Sequence, residues 1–201
     1  MKDINILVFG DSIVYGLYDY KHLGWCERLK NYYINDQDHT ICTYNLGIPG
    51  NTSFDLINRI ENEISFRRSD DMIIVLSAGI NDSQLVDHID RYSIEQFEDN
   101  IKKLINIAKK YTDKILYVGL TKVDEKRCDP VSFNKHKAYK NAKIMAYDRV
   151  INDCCNKMNI TYLKVYDLLV NIDLYDGLHP NETGHRKLFN EITIVLNKMI
   201  L

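Results

Sequence analysis

Ser12, His179 and Asp176 are the residues whose types and placement could carry nucleophilic chemistry. Ser12 lies in Gly10-Asp11-Ser12-Ile13, directly after the apolar run of residues 4–9, which holds Ile4, Ile6, Leu7, Val8 and Phe9. A short, nearly continuous apolar run reads as a buried parallel strand, and Gly10 ends it. Ser12 therefore stands at a strand's carboxyl end, the edge of an open α/β sheet where ligands bind. A hydroxyl there can attack. The plainer alternative is that Asp11 or Ser12 only caps the next helix.

Acyl transfer also needs a base, an orienter for that base, and donors for the oxyanion. His179, in Asp176-Gly177-Leu178-His179-Pro180, follows the fifth strand-like run and can return across the same sheet edge. Its imidazole could take the Ser12 proton and later deliver it to the leaving group. Asp176 could accept from the other ring nitrogen and fix the tautomer. The spacing alone decides little, because Asp-x-x-His also occurs at Asp19 with His22 and at Asp36 with His39. His39 precedes the second strand, at the amino edge, and His22 would need the intervening chain to fold back. His88 and His136 fall in polar stretches, and His185 in a turn entering the last helix, where an exposed or hydrogen-bonded imidazole is expected.

Two segments leave strands at the correct edge to supply oxyanion donors. Gly79-Ile80-Asn81-Asp82 follows the third strand, and the Asn81 amide is a neutral donor that cannot titrate. Gly47-Ile48-Pro49-Gly50-Asn51 follows the second, and either glycine could free an N–H.

Five strands, at residues 4–9, 40–45, 72–77, 114–119 and 161–165, must position these groups. They alternate with helical stretches near residues 24–33, 53–66, 94–108, 138–158 and 183–199, the βαβ pattern of a parallel sheet. Ser93 and Gln96 form a capping box for the helix whose stripe is Ile94, Phe97, Ile101, Leu104, Ile105 and Ala108. The third strand is apolar on both faces, as a central strand is, and the fifth alternates, as an edge does. Residues 121–141 are long for a loop, basic, and contain Pro130. A connection of that length at this edge is often a substrate lid, whereas the charges read as a solvated face.

With 201 residues, 45% of them hydrophobic, the chain is expected to form a single domain. A net charge of −2 from 26 basic and 28 acidic residues gives no field for nucleic acid or an anionic membrane. No apolar run approaches the length of a membrane span, and the early first strand leaves no room for a signal peptide. Five cysteines, an odd number without a C-x-x-C pair, suggest neither a disulfide framework nor a zinc site. The expectation is a cytoplasmic protein with no metal and no cofactor.

These motifs resemble the GDSL esterases and lipases, the SGNH hydrolases. The likeness runs in order through Gly10-Asp11-Ser12, Asn45 with Gly50, Gly79-x-Asn81-Asp82 and Asp176-x-x-His179-Pro180, and extends to Gly24-Trp25, Arg28-Leu29, Pro180-Asn181 and Gly184-His185. It implies Ser12 as nucleophile, His179 as base and Asp176 as its orienter. The implied oxyanion hole comprises the Ser12 N–H, the Gly50 N–H and the Asn81 side chain. Gly50 is preferred to Gly47 because the family's glycine follows an asparagine by several residues and precedes a polar-Thr pair, here Asn51-Thr52. The implied fold is a flavodoxin-like three-layer α/β/α sandwich with five parallel strands in the order 2-1-3-4-5. Ile13 stands where leucine is frequent, at a side chain with no chemistry.

The resulting expectation is a serine hydrolase of carboxylic esters acting on a small-molecule substrate: small acyl esters, acetylated sugars or lysophospholipids. Its rivals are an acyltransferase using the same site, a non-catalytic carbohydrate- or lipid-binding module, and a flavodoxin-type FMN binder. Tyr15, Tyr18 and Tyr20 could line an acyl or sugar pocket.

Overall fold

The computed structural model describes residues 2–201. In chain order its elements are β1 (Lys2–Gly10), one-turn α1 (Ser12–Tyr15), α2 (Gly24–Tyr33), β2 (His39–Gly47), α3 (Ser53–Ser65), β3 (Asp71–Ser77), and the short strands β4 (Leu85–Val86) and β5 (Ile89–Asp90). They continue with α4 (Ile94–Lys109), β6 (Ile115–Val118), one-turn α5 (Glu125–Cys128), short β7 (Lys137–Ala138), α6 (Asn141–Lys157), β8 (Thr161–Leu163), a 3-10 turn (Asn171–Asp173) and α7 (Glu182–Ile200).

Five strands pair in parallel in the order β2-β1-β3-β6-β8. Counting these five alone, this is the 2-1-3-4-5 order that the resemblance implied. β1 and β3 are central because their side chains are apolar on both faces: Ile6, Leu7, Val8, Phe9, Ile73, Ile74, Val75 and Leu76 are fully buried. Helices cover both faces, with α2 against α7 on one and α3, α4 and α6 in a row on the other. The α4 stripe is buried from Phe97 through Ile101 and Leu104 to Ala108, and the Ser93–Gln96 capping box forms as read.

The register sets the functional edge. Gly10 lies opposite Gly47 on one side and Ser77 on the other, so the segments after β1, β2 and β3 leave from one line.

The long basic segment is folded. β7 pairs with β4, which pairs with β5, in a small antiparallel sheet. This pairing draws residues 137–138 into a strand, so α6 begins at Asn141, three residues later than the periodicity suggests. The Asn141 side chain closes the segment's base by accepting from the Val123 N–H and donating to the Val123 carbonyl, each at 2.9 Å.

Of the two roles expected for His185, exposed or hydrogen-bonded, the second holds, and the ring is buried. It lies in the first turns of α7, where Nδ1 accepts from the Trp25 N–H at 3.3 Å and Nε2 donates to the Leu17 carbonyl at 3.1 Å. Only the neutral ring can do both. Burial accordingly pulls its pKa down to about 4, although the Leu17 carbonyl pulls the other way.

With a folded pKa below the unfolded value, His185 stabilises the fold above about pH 6.5, and that contribution fades as pH falls toward 4. The whole shift corresponds to about 3 kcal/mol. His185→Gln should therefore be destabilised relative to wild type at pH 7.5, and urea unfolding at pH 5 should show that gap markedly reduced. Titrations common to both proteins cancel in the difference; a gap independent of pH would contradict this reading.

Candidate active site

β1 delivers Ser12. Asp11 is the N-cap of α1, its Oδ1 accepting from the Ile13 N–H at 2.8 Å, and Ser12 is the first helical residue. Capping and chemical reach thus coexist in neighbouring residues. The Ser12 side chain faces His179, with Oγ 2.9 Å from Nε2. His179 Nδ1 lies 2.8 Å from Asp176 Oδ2. Asp176 Oδ1 accepts from the His179 and Leu178 N–H groups at 2.8 and 3.0 Å.

Burial alone would raise the Asp176 pKa. The His179 ring, its charge and the two backbone donors outweigh it and hold the carboxyl below its ordinary value. An ionised Asp176 accepts a hydrogen bond from the protonated Nδ1, a tautomer that leaves Nε2 as the acceptor for the serine hydroxyl.

The other two Asp-x-x-His pairs show what the spacing itself means. Asp19 and Asp36 each accept the backbone N–H of the histidine three residues on, at 3.1 and 2.8 Å. The motif is first a turn. At His39 the ring also bonds Asp36, but at the amino end of β2, and His22 lies beside Glu182. His179 is the histidine brought to Ser12.

Gly50 and Asn81 line the same cleft as Ser12 and His179. Gly50 has φ +82°, a conformation that strains other residues, and its N–H meets no acceptor among the described residues. The Gly47 N–H is committed to Asn45 Oδ1 at 3.1 Å, and a Cβ at residue 47 would lie 2.4 Å from the Tyr15 nitrogen. Asn81 Nδ2 donates one hydrogen to the Asn51 carbonyl at 3.0 Å, leaving its second for the cleft.

The sequence of residues 8–187 matches the GDSL-like Lipase/Acylhydrolase family. The chain belongs to this family. Its members are carboxylic ester hydrolases, and so is this protein. Among curated proteins, none matches the sequence. Solved structures share the fold: a lipolytic G-D-S-L family protein from Veillonella parvula has 21% identity and a TM-score of 0.75, covering 96% of this chain and 98% of that one. A lipase/acylhydrolase from Enterococcus faecalis has 20% identity and a TM-score of 0.74, covering 98% and 95%. A variant of an acetyl xylan esterase from Geobacillus stearothermophilus has 18% identity and a TM-score of 0.70, covering 96% and 93%.

The cleft has a volume of about 240 Å³, walled by Leu17, Tyr18, Pro49, Leu178, Phe133, Lys137, Tyr139 and Gln84 besides the four residues above. Tyr18 stacks on Tyr175 with centroids 4.3 Å apart and meets the His179 ring edge-on at 5.3 Å. Tyr20 is exposed beside them, whereas Tyr15 faces a different pocket. Among the described residues no group of three or more His, Cys, Asp or Glu is placed to hold a metal ion.

Three supporting residues escaped the sequence reading. Asp82 was visible as part of the Gly79-x-Asn81-Asp82 motif but had no role; it accepts from the Ser53 N–H at 3.0 and 3.1 Å and from the Ser53 hydroxyl. This ties the start of α3 to the Asn81 turn. Tyr139 donates to Asn81 Oδ1 at 3.0 Å and accepts from Gln84 Nε2 at 2.6 Å. The chain of donors is self-consistent, because Asn81 Nδ2 is already committed to Asn51. Burial raises the Tyr139 pKa, so the phenol keeps the proton it donates. No local pattern flags either residue, since both reach the site through the small sheet.

Burial also pushes the Asp11 and Asp82 carboxyls up to about 6, against the Ile13 and Ser53 donors that favour their charged forms. Their cost to stability is present above pH 6 and is relieved as pH falls toward 3.8, the opposite sense to His185.

Tyr139→Phe keeps the ring but strips Asn81 Oδ1 and Gln84 Nε2 of a buried partner. It should destabilise the protein by about 1–3 kcal/mol in urea unfolding at pH 7. An unchanged midpoint would mean that the relay contributes nothing.

Proposed function

We propose that the chain, residues 1–201, works as a single SGNH domain that hydrolyses carboxylic esters through an acyl-enzyme on Ser12. The observation that carries this reading is the Ser12 Oγ–His179 Nε2 contact of 2.9 Å, with Asp176 behind the ring at 2.8 Å. Ser12 Oγ attacks the ester carbonyl carbon while His179 Nε2 takes its proton. The carbonyl electron pair moves onto oxygen, and the Ser12 N–H, the Gly50 N–H and the free hydrogen of Asn81 Nδ2 receive the charge. His179 then gives its proton to the departing alcohol oxygen as the C–O bond breaks, leaving the acyl group on Ser12. Water repeats the sequence, with its proton passing to His179 and the Ser12 oxygen leaving as the hydroxyl.

A cleft of about 240 Å³ suits a small acyl group better than a long chain. The tyrosines at its mouth offer flat faces to a sugar, and an acetyl xylan esterase shares the fold. These features favour acetylated carbohydrates over lysophospholipids among the substrates. A cytoplasmic setting agrees with five free cysteines.

With p-nitrophenyl acetate, Ser12→Ala should reduce turnover by roughly 10⁶, in practice to background. Equal rates for the two proteins would end the proposal. Asn81→Ala should lower kcat by about 10² to 10³ with little change in KM. A series from acetate to decanoate should show kcat/KM falling with acyl length; a maximum at decanoate would refute the small-acyl reading.

A further inference from the structure

The cleft that holds Ser12 and His179 contains one side chain of permanent charge, Lys137, and among the described residues no Asp, Glu or Arg lines it. Lys137 has no ion-pair partner among the described residues. Two lysines that follow it do, Lys140 with Asp129 and Lys143 with Asp90, whereas Lys135, equally unpaired among the described residues, is exposed and lies outside the cleft wall. The acids closest in sequence to the catalytic pair are already engaged. Both Asp176 oxygens are bonded to His179, one of them also to Leu178, and Asp11 caps α1.

The backbone fixes where this lysine stands. In β7 it lies opposite Val86, its N–H donates to the Asn134 carbonyl at 3.0 Å, and its carbonyl accepts from Val131 at 2.9 Å. Side chains two apart on an extended chain share a face, and Tyr139 is on the face that reaches Asn81. Lys137 therefore lines the cleft from the same side. It is half-buried, and among the described residues no carboxylate pairs with its ammonium.

We infer that Lys137 is a subsite for an anionic group, carboxylate or phosphate, carried by the ester substrate, and that it selects acidic esters over neutral ones. This rests on the acyl-enzyme reading above and adds to it the charge class of the substrate. The interaction is a steering and orienting one, so it weakens as salt rises.

The test compares kcat/KM for paired esters in wild type, Lys137→Met, Lys137→Glu and Lys137→Arg. The pairs are p-acetoxybenzoate with p-acetoxybenzamide, p-acetoxyphenyl phosphate with p-acetoxyanisole, and mono-p-nitrophenyl adipate with p-nitrophenyl hexanoate. Taking each anionic-to-neutral ratio between proteins cancels the intrinsic reactivity of the esters. At least one ratio should fall about fivefold in Lys137→Met, the upper end for a partly exposed ion pair. It should fall further in Lys137→Glu, return in Lys137→Arg, and shrink with added salt in wild type but not in Lys137→Met. Which pair responds identifies carboxylate or phosphate, and the acyl or alcohol side. Ratios unchanged in both Lys137→Met and Lys137→Glu would overturn the subsite while leaving Ser12 chemistry intact. Loss of all Ser12-dependent hydrolysis in wild type would instead overturn the reading beneath it.

Discussion

The structure depends on the register of three parallel strands. β1 is paired to β2 and β3 so that Gly10, Gly47 and Ser77 form one row. Side chains alternate along a strand, so a slip of one residue would exchange the two apolar faces of β1 and carry Gly10 out of the row. Burial of Ile6 to Phe9 on both sides holds the row in place. Ser12, Gly50 and Asn81 each follow within a few residues of that row, and this short tether converts strand pairing into a common cleft.

Tethers alone would leave three turns free to drift. They are tied to one another by buried polar groups. Asn81 donates to Asn51, Asp82 accepts from Ser53, and Arg59 reaches from α3 to the carbonyls of Gly10 and Leu46 and to the Asn51 side chain. Hydrogen bonds to charged groups contribute more than neutral ones, and losing one partner leaves the other buried and unpaired. Desolvation of Asp11 and Asp82 is a cost borne where the Ser12 and Asn81 turns are held together. Stability is given up locally for fixed geometry.

What the sequence makes legible is what the main sheet places. Ser12 and Asn81 lie just beyond strands with strong apolar signals and Gly50 just beyond β2, so strand order and edge gather them, whereas Asp176 and His179 come well after β8 and are legible from the Asp-x-x-His turn. Tyr139 and Gln84 are brought together by strands of two residues, too short for any periodicity to register. His185 could not be read as buried because its partners, Leu17 and Trp25, lie some 160 residues away in sequence and are backbone groups. The basic character of residues 121–141 gave no hint that Lys137 differs from its neighbours; only its place in the cleft wall, set by the two-residue strand β7, reveals it.

Residues 121–141 therefore do more than cover the site. Near one end, the Asp124 N–H donates to the Gly177 carbonyl, and Arg127 donates to the carbonyls of Leu174 and Tyr175, bracing the turn that carries His179. Near the other, Tyr139 holds Asn81 while Lys137 and Phe133 wall the cleft. One connection thus touches the turn of His179, the Asn81 side chain and the cleft wall together. Substitutions there that reshape the cleft wall will also disturb the placement of His179 and Asn81 unless they spare the Tyr139 hydroxyl and the Asp124–Gly177 bond. Lys137 meets that condition, because its side chain takes no part in either contact.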